Sequence, residues 1–435
     1  MRNTFIYHNL EKNSLLNALL NLSDKNETIS ILVSNFDKKD DVMPRDYITY
    51  DIIAGIGCIN KLISNKDSLN NLKDFHNENK DWLFGYISYD LKNELEKLNS
   101  NNYVGFSSDN LTFFIPEFVM LFKNNTLEVK SYYNKEECDA LVSSFNYTEQ
   151  FFLNETLNLK ARETKKSYLN KIYSIKEHIQ RGDIYEMNYC QEFYSDNAVI
   201  NPKTIFSELN QNTKSPFASF SKFSEKYILS ASPERFLRKS FSKILSQPIK
   251  GTMKRGESLN EDELLKIKLK NSIKDLTENI MITDLVRNDL SVNAKRGSVK
   301  VEDLCQVYTF DKIHQMITTI SSCIEDETHF CDVLKATFPM GSMTGAPKIN
   351  SMKLIDFFEE FRRGVFSGSI GYITPETDFD FNVVIRTILY DEQNKYLSIG
   401  VGGAITTNSI PIEEYKECII KVKPIFDLLN FKLDD

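Results

Sequence analysis

Residue types suited to chemistry are concentrated in the second half of the chain. Lys250, in "QPIKGTMKRG", follows a strand-like run and stands between Ile249 and Gly251. A lysine at a strand end ordinarily points into water. Turned inward, it offers the interior a primary amine, which is a nucleophile once neutral. An enclosed pocket and a neighbouring cation both favour the neutral form of an amine. Glu234, in "SASPERFL", follows Pro233 at the end of another strand-like run. Exposure is the ordinary reading of such a carboxylate; in an apolar cleft it would instead keep its proton and serve as a general acid.

Two further acidic pairs are spaced for helices. In "KLKNSIKDLTENIMITDLVRNDL", Asp275 and Glu278 are three apart and share a face. In "PIEEYKECIIKVKPIFDLL", Glu414 and Glu417 repeat the spacing, with Lys421 one turn further on. Acidic pairs of this kind usually form a solvated face. Converging from two helices, they would instead make an oxygen-ligand site for a hard cation, of the kind that suits magnesium. Arg386 sits within the apolar run "FNVVIRTILY", which reads as a strand; a buried arginine there needs an anion, from the protein or from a ligand. Gly400, Gly402 and Gly403 in "LSIGVGGAITTNS" read as a turn after a strand, able to aim backbone N–H groups at an anion, or as a plain bulge. "MGSMTGAPK" has the wrong glycine spacing for a phosphate loop. His314, in "DKIHQMITTI", is the one histidine inside a clear strand pattern. No Ser/His/Asp order and no metal-spaced histidine cluster appears.

The elements that must position these groups can be read from pattern. Tyr168, Ile172, Ile175 and Ile179 have helical spacing, with Gly182 and Asp183 as the stop, and "IYEMNYCQEF" is a strand. The pattern predicts one long helix over about 260–290, strands near 310–323, 365–373, 380–390 and 395–406, and a last helix after Pro411. Strand runs joined by hairpin-length gaps, with few long helices, favour an α+β fold. A polar stretch over about 134–165 divides an N-terminal region, 1–150, from a second one, 163–430. The chain has 435 residues, 41% apolar and 26% charged, as in a soluble globular protein. The net charge of -8 argues against a nucleic-acid surface. No run is long enough to span a membrane, the first thirty residues do not resemble a signal peptide, and seven scattered cysteines lack a CxxC pair. These features predict a cytoplasmic protein with reduced thiols.

Taken in order, "SPERF", "PIKGT", "ENIMITDLVRNDL", "GSMTGAPK", "SGSIGYI", "VVIRT" and "GGAITTNS…EEYKE" resemble the chorismate-utilising enzymes over about residues 163–430. "GYISYDLKNEL" is similar to that family's N-terminal region. The resemblance implies the fold of the anthranilate synthase large subunit, with stacked, largely antiparallel sheets as a sandwich core and helices outside. It implies magnesium held directly by Glu278 and Glu417 and through water by Asp275 and Glu414. It makes Arg386, Lys421, the turn at Gly400, Gly402 and Gly403, Ser342 and Gln315 substrate-binding groups, Glu234 the general acid and Lys250 a covalent nucleophile. Gln315 falls where many members carry a histidine. Glu186 falls where isochorismate- and salicylate-forming members carry a water-activating lysine, which argues against attack of water at C2.

Lys250 implies the branch of the family that replaces the C4 hydroxyl of chorismate by an amine, toward p-aminobenzoate and folate. The nitrogen would be ammonia, from solution or from a glutamine amidotransferase subunit. Anthranilate-forming members carry a small residue at the lysine's place, and a non-catalytic chorismate-binding homologue would not need Glu234 and Lys250.

Overall fold

A computed structural model describes residues 2–35, 49–145 and 157–431. The strand-like runs assemble into two antiparallel sheets. The twelve-stranded sheet follows the order Asn3–His8, Thr126–Ser131, Phe118–Lys123, Ile52–Ile56, Thr28–Val33, Phe217–Phe223, Lys226–Ser232, Thr387–Asp391, Tyr396–Ile405, Glu186–Ser195 and Gly345–Ala346, with Lys160–Ala161 also beside Glu186–Ser195. The ten-stranded sheet follows Ile249–Lys254, Ile313–Cys323, Lys243–Gln247, Arg235–Ser240, Phe379–Asn382, Ser369–Ile373, Leu83–Ile87, Leu111–Ile115 and Asn60–Ser64, with Lys300–Thr309 also beside Ile313–Cys323.

Strands from both ends of the chain share each sheet. Thr28–Val33 pairs with Phe217–Phe223, and Leu83–Ile87 pairs with Ser369–Ile373. The polar stretch expected to divide the chain lies partly at residues 146–156, outside the described residues.

One core lies between the sheets, drawing Cys190, Ile228 and Leu389 from the larger and Leu83, Phe113, Leu237 and Phe381 from the smaller. A second core seats helices on the outer face of the larger sheet. There the predicted stripe Tyr168, Ile172, Ile175 and Ile179 of Lys165–Arg181 packs with Tyr415, Cys418, Val422 and Ile425 of Pro411–Leu428. Gly182 ends the first of these helices at φ +84°, a left-handed conformation that costs glycine little. The fold is thus α+β, with stacked antiparallel sheets and outer helices.

Two expected elements are divided. The long helix is two, Leu259–Lys270 and Ile273–Ser291. Asn271 and Ser272 break it, and the Ser272 hydroxyl caps the second helix by accepting from the N–H of Asp275 at 3.4 Å. The cap sets Lys274 and Asp275 in the first turn. The strand expected at 380–390 is likewise two, Phe379–Asn382 and Thr387–Asp391. Arg386 is therefore not inside a strand but at the bend before the second, with φ +52°.

Candidate active site

Lys250 lies at the irregularity that offsets Ile249–Lys254 against Ile313–Cys323. Ile249 pairs with Ile317, and pairing resumes only at Thr252 with Gln315. Gly251 takes φ +88° at this bulge, and a Cβ there would stand 2.9 Å from Cβ of Asp275. A strand-end lysine is thereby turned inward: Lys250 is 9% exposed. Its charge favours ionisation of three buried carboxyls, Glu186, Glu234 and Glu278, from a strand, a loop and a helix. No hydrogen bond or close ion pair holds its ammonium among the described residues.

Burial pushes Glu234 up to about 7, against the opposing pull of Ser342, Lys250 and Arg386. Ser342 approaches the carboxyl closely enough to favour its charged form, yet its hydroxyl makes no hydrogen bond of good geometry. Arg386 is half-buried. Desolvation lowers it to about 10, Glu234 opposes that shift, and no protein acceptor meets its guanidinium among the described residues. A guanidinium left without an acceptor is suited to an anionic ligand.

"GSMTGAPK" is no phosphate loop. Its Gly345–Ala346 pairs with Met187 and Glu186, and a Cβ on Gly345 would lie 2.2 Å from the carbonyl oxygen of Glu186. Asn188 anchors the same segment, donating its backbone N–H to Thr344 at 2.8 Å and its side-chain amide to Ser342 O at 3.2 Å. Lys348 donates to Asp289 at 2.5 Å, tying the segment to the Ile273–Ser291 helix.

The glycine run is not a turn either. Gly400, Gly402 and Gly403 are all inside the Tyr396–Ile405 strand, opposite Glu192, Cys190 and Tyr189. They are small because the strand is crowded. A Cβ on Gly400 would meet the Phe366 ring at 2.4 Å, and one on Gly402 would meet Tyr189 O at 2.3 Å. A Cβ on Gly403 would stand 3.6 Å from both Glu417 Oε1 and Lys421 Nζ, so this residue forms the bare floor of a charged cluster.

That cluster joins the two helices. Lys421 donates to Glu417 Oε1 at 2.8 Å and to Gly402 O at 3.0 Å, and chiefly through Lys421 the Glu417 carboxylate is held down at about 2. Lys274 donates to Glu414 Oε1 at 2.9 Å and Glu417 Oε2 at 3.1 Å, and stands 4.0 Å from Glu278 Oε1. Burial raises Glu278 to about 7. The Asp275 carboxylate lies beside Gly251.

Among the described residues, no three His, Cys, Asp or Glu side chains form a metal-binding group, and the Lys274 ammonium stands between Glu414 and Glu417. The donor set nevertheless fits a hard cation. It is oxygen-rich and anionic, and Glu278 Oε1 and Glu414 Oε2 are buried without a hydrogen-bond donor.

His314 and Gln315 face opposite sides of their strand. His314 bonds Asp262 of the Leu259–Lys270 helix at 2.9 Å and Thr309 at 3.0 Å. Gln315 is 1% exposed, and neither its Oε1 nor its Nε2 has a hydrogen-bond partner. Sequence reasoning missed Lys274, whose i,i+4 spacing to Glu278 signals only an ordinary surface pair. It also missed the Glu359–Arg363 pair, which has the same spacing.

Residues 42–427 match the family model described as chorismate binding enzyme. The chain is 35% identical over 308 residues to aminodeoxychorismate synthase component 1 of Escherichia coli, a match covering 71% of this chain and 67% of that protein. It is 34% identical to the chloroplastic aminodeoxychorismate synthase of Arabidopsis thaliana over 81% of this chain, but spans only 41% of that longer protein. Anthranilate synthase component I of Streptococcus pneumoniae superimposes with a TM-score of 0.75 at 23% identity, covering 89% of this chain and 94% of that one. The menaquinone-specific isochorismate synthase of Escherichia coli superimposes with a TM-score of 0.77 at 15% identity, covering 99% and 95%. These last two show the shared fold; the family match and the 35% identity place this chain in the chorismate binding enzyme family.

Proposed function

We propose that the chain is an aminodeoxychorismate synthase large subunit, which replaces the C4 hydroxyl of chorismate by an amine. The observation that carries this reading is Lys250, turned inward at a bulge among Glu186, Glu234 and Glu278 and bonded to none of them. The 35% identity to an enzyme of that name supports it. The proposed site groups all fall within residues 163–430, which we take as the catalytic region.

In this reading Lys250 Nζ, as the neutral amine, attacks C2 of the ring. The double bond shifts, the C4–O bond breaks, and the oxygen leaves as water with the proton of Glu234. Ammonia then bonds to C4, the double bond shifts back, and Lys250 departs as the neutral amine. The new ammonium returns a proton to Glu234. Arg386 is the proposed carboxylate clamp, and Gln315, which can donate and accept but not carry a proton near neutral pH, lies ready for the C4 oxygen.

Glu278 and Glu417, with Glu414 and Asp275 in support, are the proposed ligands for magnesium. The bound ion would neutralise the ring carboxylate. Ammonia from glutamine would require an amidotransferase partner. No helix among the described residues is long and apolar enough to cross a membrane; a place in the cytoplasm is part of the proposal.

Incubation with chorismate, magnesium and ammonium, with products identified by mass and retention time, tests the reading. The expected product is 4-amino-4-deoxychorismate. Anthranilate would favour the alternative branch, and unchanged chorismate a non-catalytic binder. Intact-protein mass spectrometry with chorismate but without ammonia should trap an adduct on Lys250. The nucleophile assignment fails if no adduct forms and Lys250→Ala makes the 4-amino product at the parental rate.

A further inference from the structure

The carboxylates of the two helices are already bridged by a cation belonging to the chain. Lys274 stands in the first turn of Ile273–Ser291, four residues before Glu278. Its ammonium lies where three carboxylates from two helices converge, at 2.9 Å from Glu414, 3.1 Å from Glu417 and 4.0 Å from Glu278. Lys421 approaches Glu417 through the other carboxylate oxygen and is tied to the sheet as well, through Gly402 O. Among the described residues, Lys274 is held only by the carboxylates. Its side chain is 40% exposed, so rotation about its own torsions can carry the ammonium into solvent.

We propose that Lys274 is a tethered placeholder, which holds Glu278, Glu414 and Glu417 together in the metal-free protein and is displaced when a divalent cation binds. The inference rests on reading these carboxylates as cation ligands, and three physical points carry it.

The first is charge. With Glu278 ionised, three carboxylates against Lys274 and Lys421 leave one negative charge, and exchanging a tethered monocation for a dication neutralises it. A sodium or potassium ion offers no such gain over Lys274, so the tether favours divalent ions. The second is size. Contacts near 3 Å are ammonium–carboxylate distances, whereas magnesium draws its oxygens to about 2.0–2.1 Å. The oxygens must close in, and an ammonium cannot share the point with a dication, because like charges in contact repel strongly. The third is incomplete satisfaction. With Lys274 in place, Glu278 Oε1 and Glu414 Oε2 remain buried without a donor. The placeholder steadies the cluster without saturating it, which leaves free energy to be gained by a better ligand.

Manganese(II), another oxygen-seeking dication, serves as the probe. Full-length protein and Lys274→Gln are titrated with it and free ion is read by electron paramagnetic resonance. The variant should bind about tenfold more tightly, a difference of about 1.4 kcal/mol. Lys274→Met repeats the measurement without a hydrogen-bonding side chain.

The second arm uses the unaltered protein. Brief acetylation with acetic anhydride, mapped by peptide mass, should modify Lys274 several-fold more with saturating magnesium than without it, relative to exposed Lys166. Manganese affinity equal in all three proteins, or Lys274 acetylation unchanged by magnesium that is demonstrably bound, overturns the placeholder role alone. No manganese binding in any of them overturns the cation reading and the placeholder together.

Discussion

Two charge clusters flank the Glu186–Ser195 strand, and they are built on opposite principles. Away from the site, Arg363 and Glu359 are both almost fully buried, and every polar reach is met. Arg363 donates to Glu359 at 2.6 and 2.9 Å, to Met343 O at 2.6 Å and to Asn188 O at 2.9 Å, while Glu359 accepts from the N–H of Cys190 at 2.8 Å. The pair therefore completes the hydrogen bonding of the strand where no neighbouring strand continues. In the site, Glu186, Glu278, Glu414, Gln315 and Ser342 each keep a buried polar atom without a partner. Most buried polar groups in folded proteins are satisfied. This set of exceptions marks where the protein leaves bonding capacity for something else.

Substitutions in the two clusters should separate stability from turnover. The largest effect on activity is expected from Glu417→Gln. The charge that faces Lys274 and Lys421 is lost, and kcat should fall by about two to three orders of magnitude, the scale of removing an electrostatic stabiliser. The melting temperature should hold within a few degrees. Near-parental activity, or parental activity in excess chelator, breaks the metal assignment.

Arg363→Met should do the reverse. It strands a buried carboxylate and should cost about 3–5 kcal/mol of unfolding free energy in urea. Activity per folded molecule would be largely retained at low temperature.

The pH profile sharpens the site half of the comparison. Glu234 is raised to about 7 by burial, so its proton is in place below that value and lost above it. If it is the general acid, kcat/KM should fall as pH rises through about 7, and Glu234→Gln should remove that limb along with most activity. A flat profile from pH 6 to 8.5 would assign the proton elsewhere. The same shift makes the stability Glu234 contributes fully present below its ordinary value of 4.5, and that stability is lost as pH rises from there through about 7.

Arg386→Gln should raise KM for chorismate about tenfold, for a lost charge-assisted contact of about 1.4 kcal/mol, with little change in stability because no protein partner is forfeited. His314→Ala is expected to be mildest for catalysis. Turnover should stay within about twofold, while the lost bond to Asp262 should lower stability by about 1–2 kcal/mol. A large loss of turnover with folding preserved would mean that His314, not Gln315, serves the site.

The chain's pattern by itself determined much of this. Helical spacing located the Lys165–Arg181 stripe, Gly182 its end and Pro411 the start of the last helix, because these signals act over one or two turns. The acidic pairs could be placed on helix faces for the same reason, and the ordered motifs pointed to the family. Tertiary structure decided what local spacing does not encode. It bent the chain at Arg386, where an apolar run that looks continuous leaves the ten-stranded sheet for the twelve-stranded one. It made strand of the glycine run, because the need for small residues comes from Phe366 and the Glu186–Ser195 strand, distant in sequence. Above all it turned Lys250 inward at a bulge and set Lys274 between carboxylates of two helices. In each case the environment of the amine is supplied by groups far away along the chain, and only the folded molecule brings their charges together.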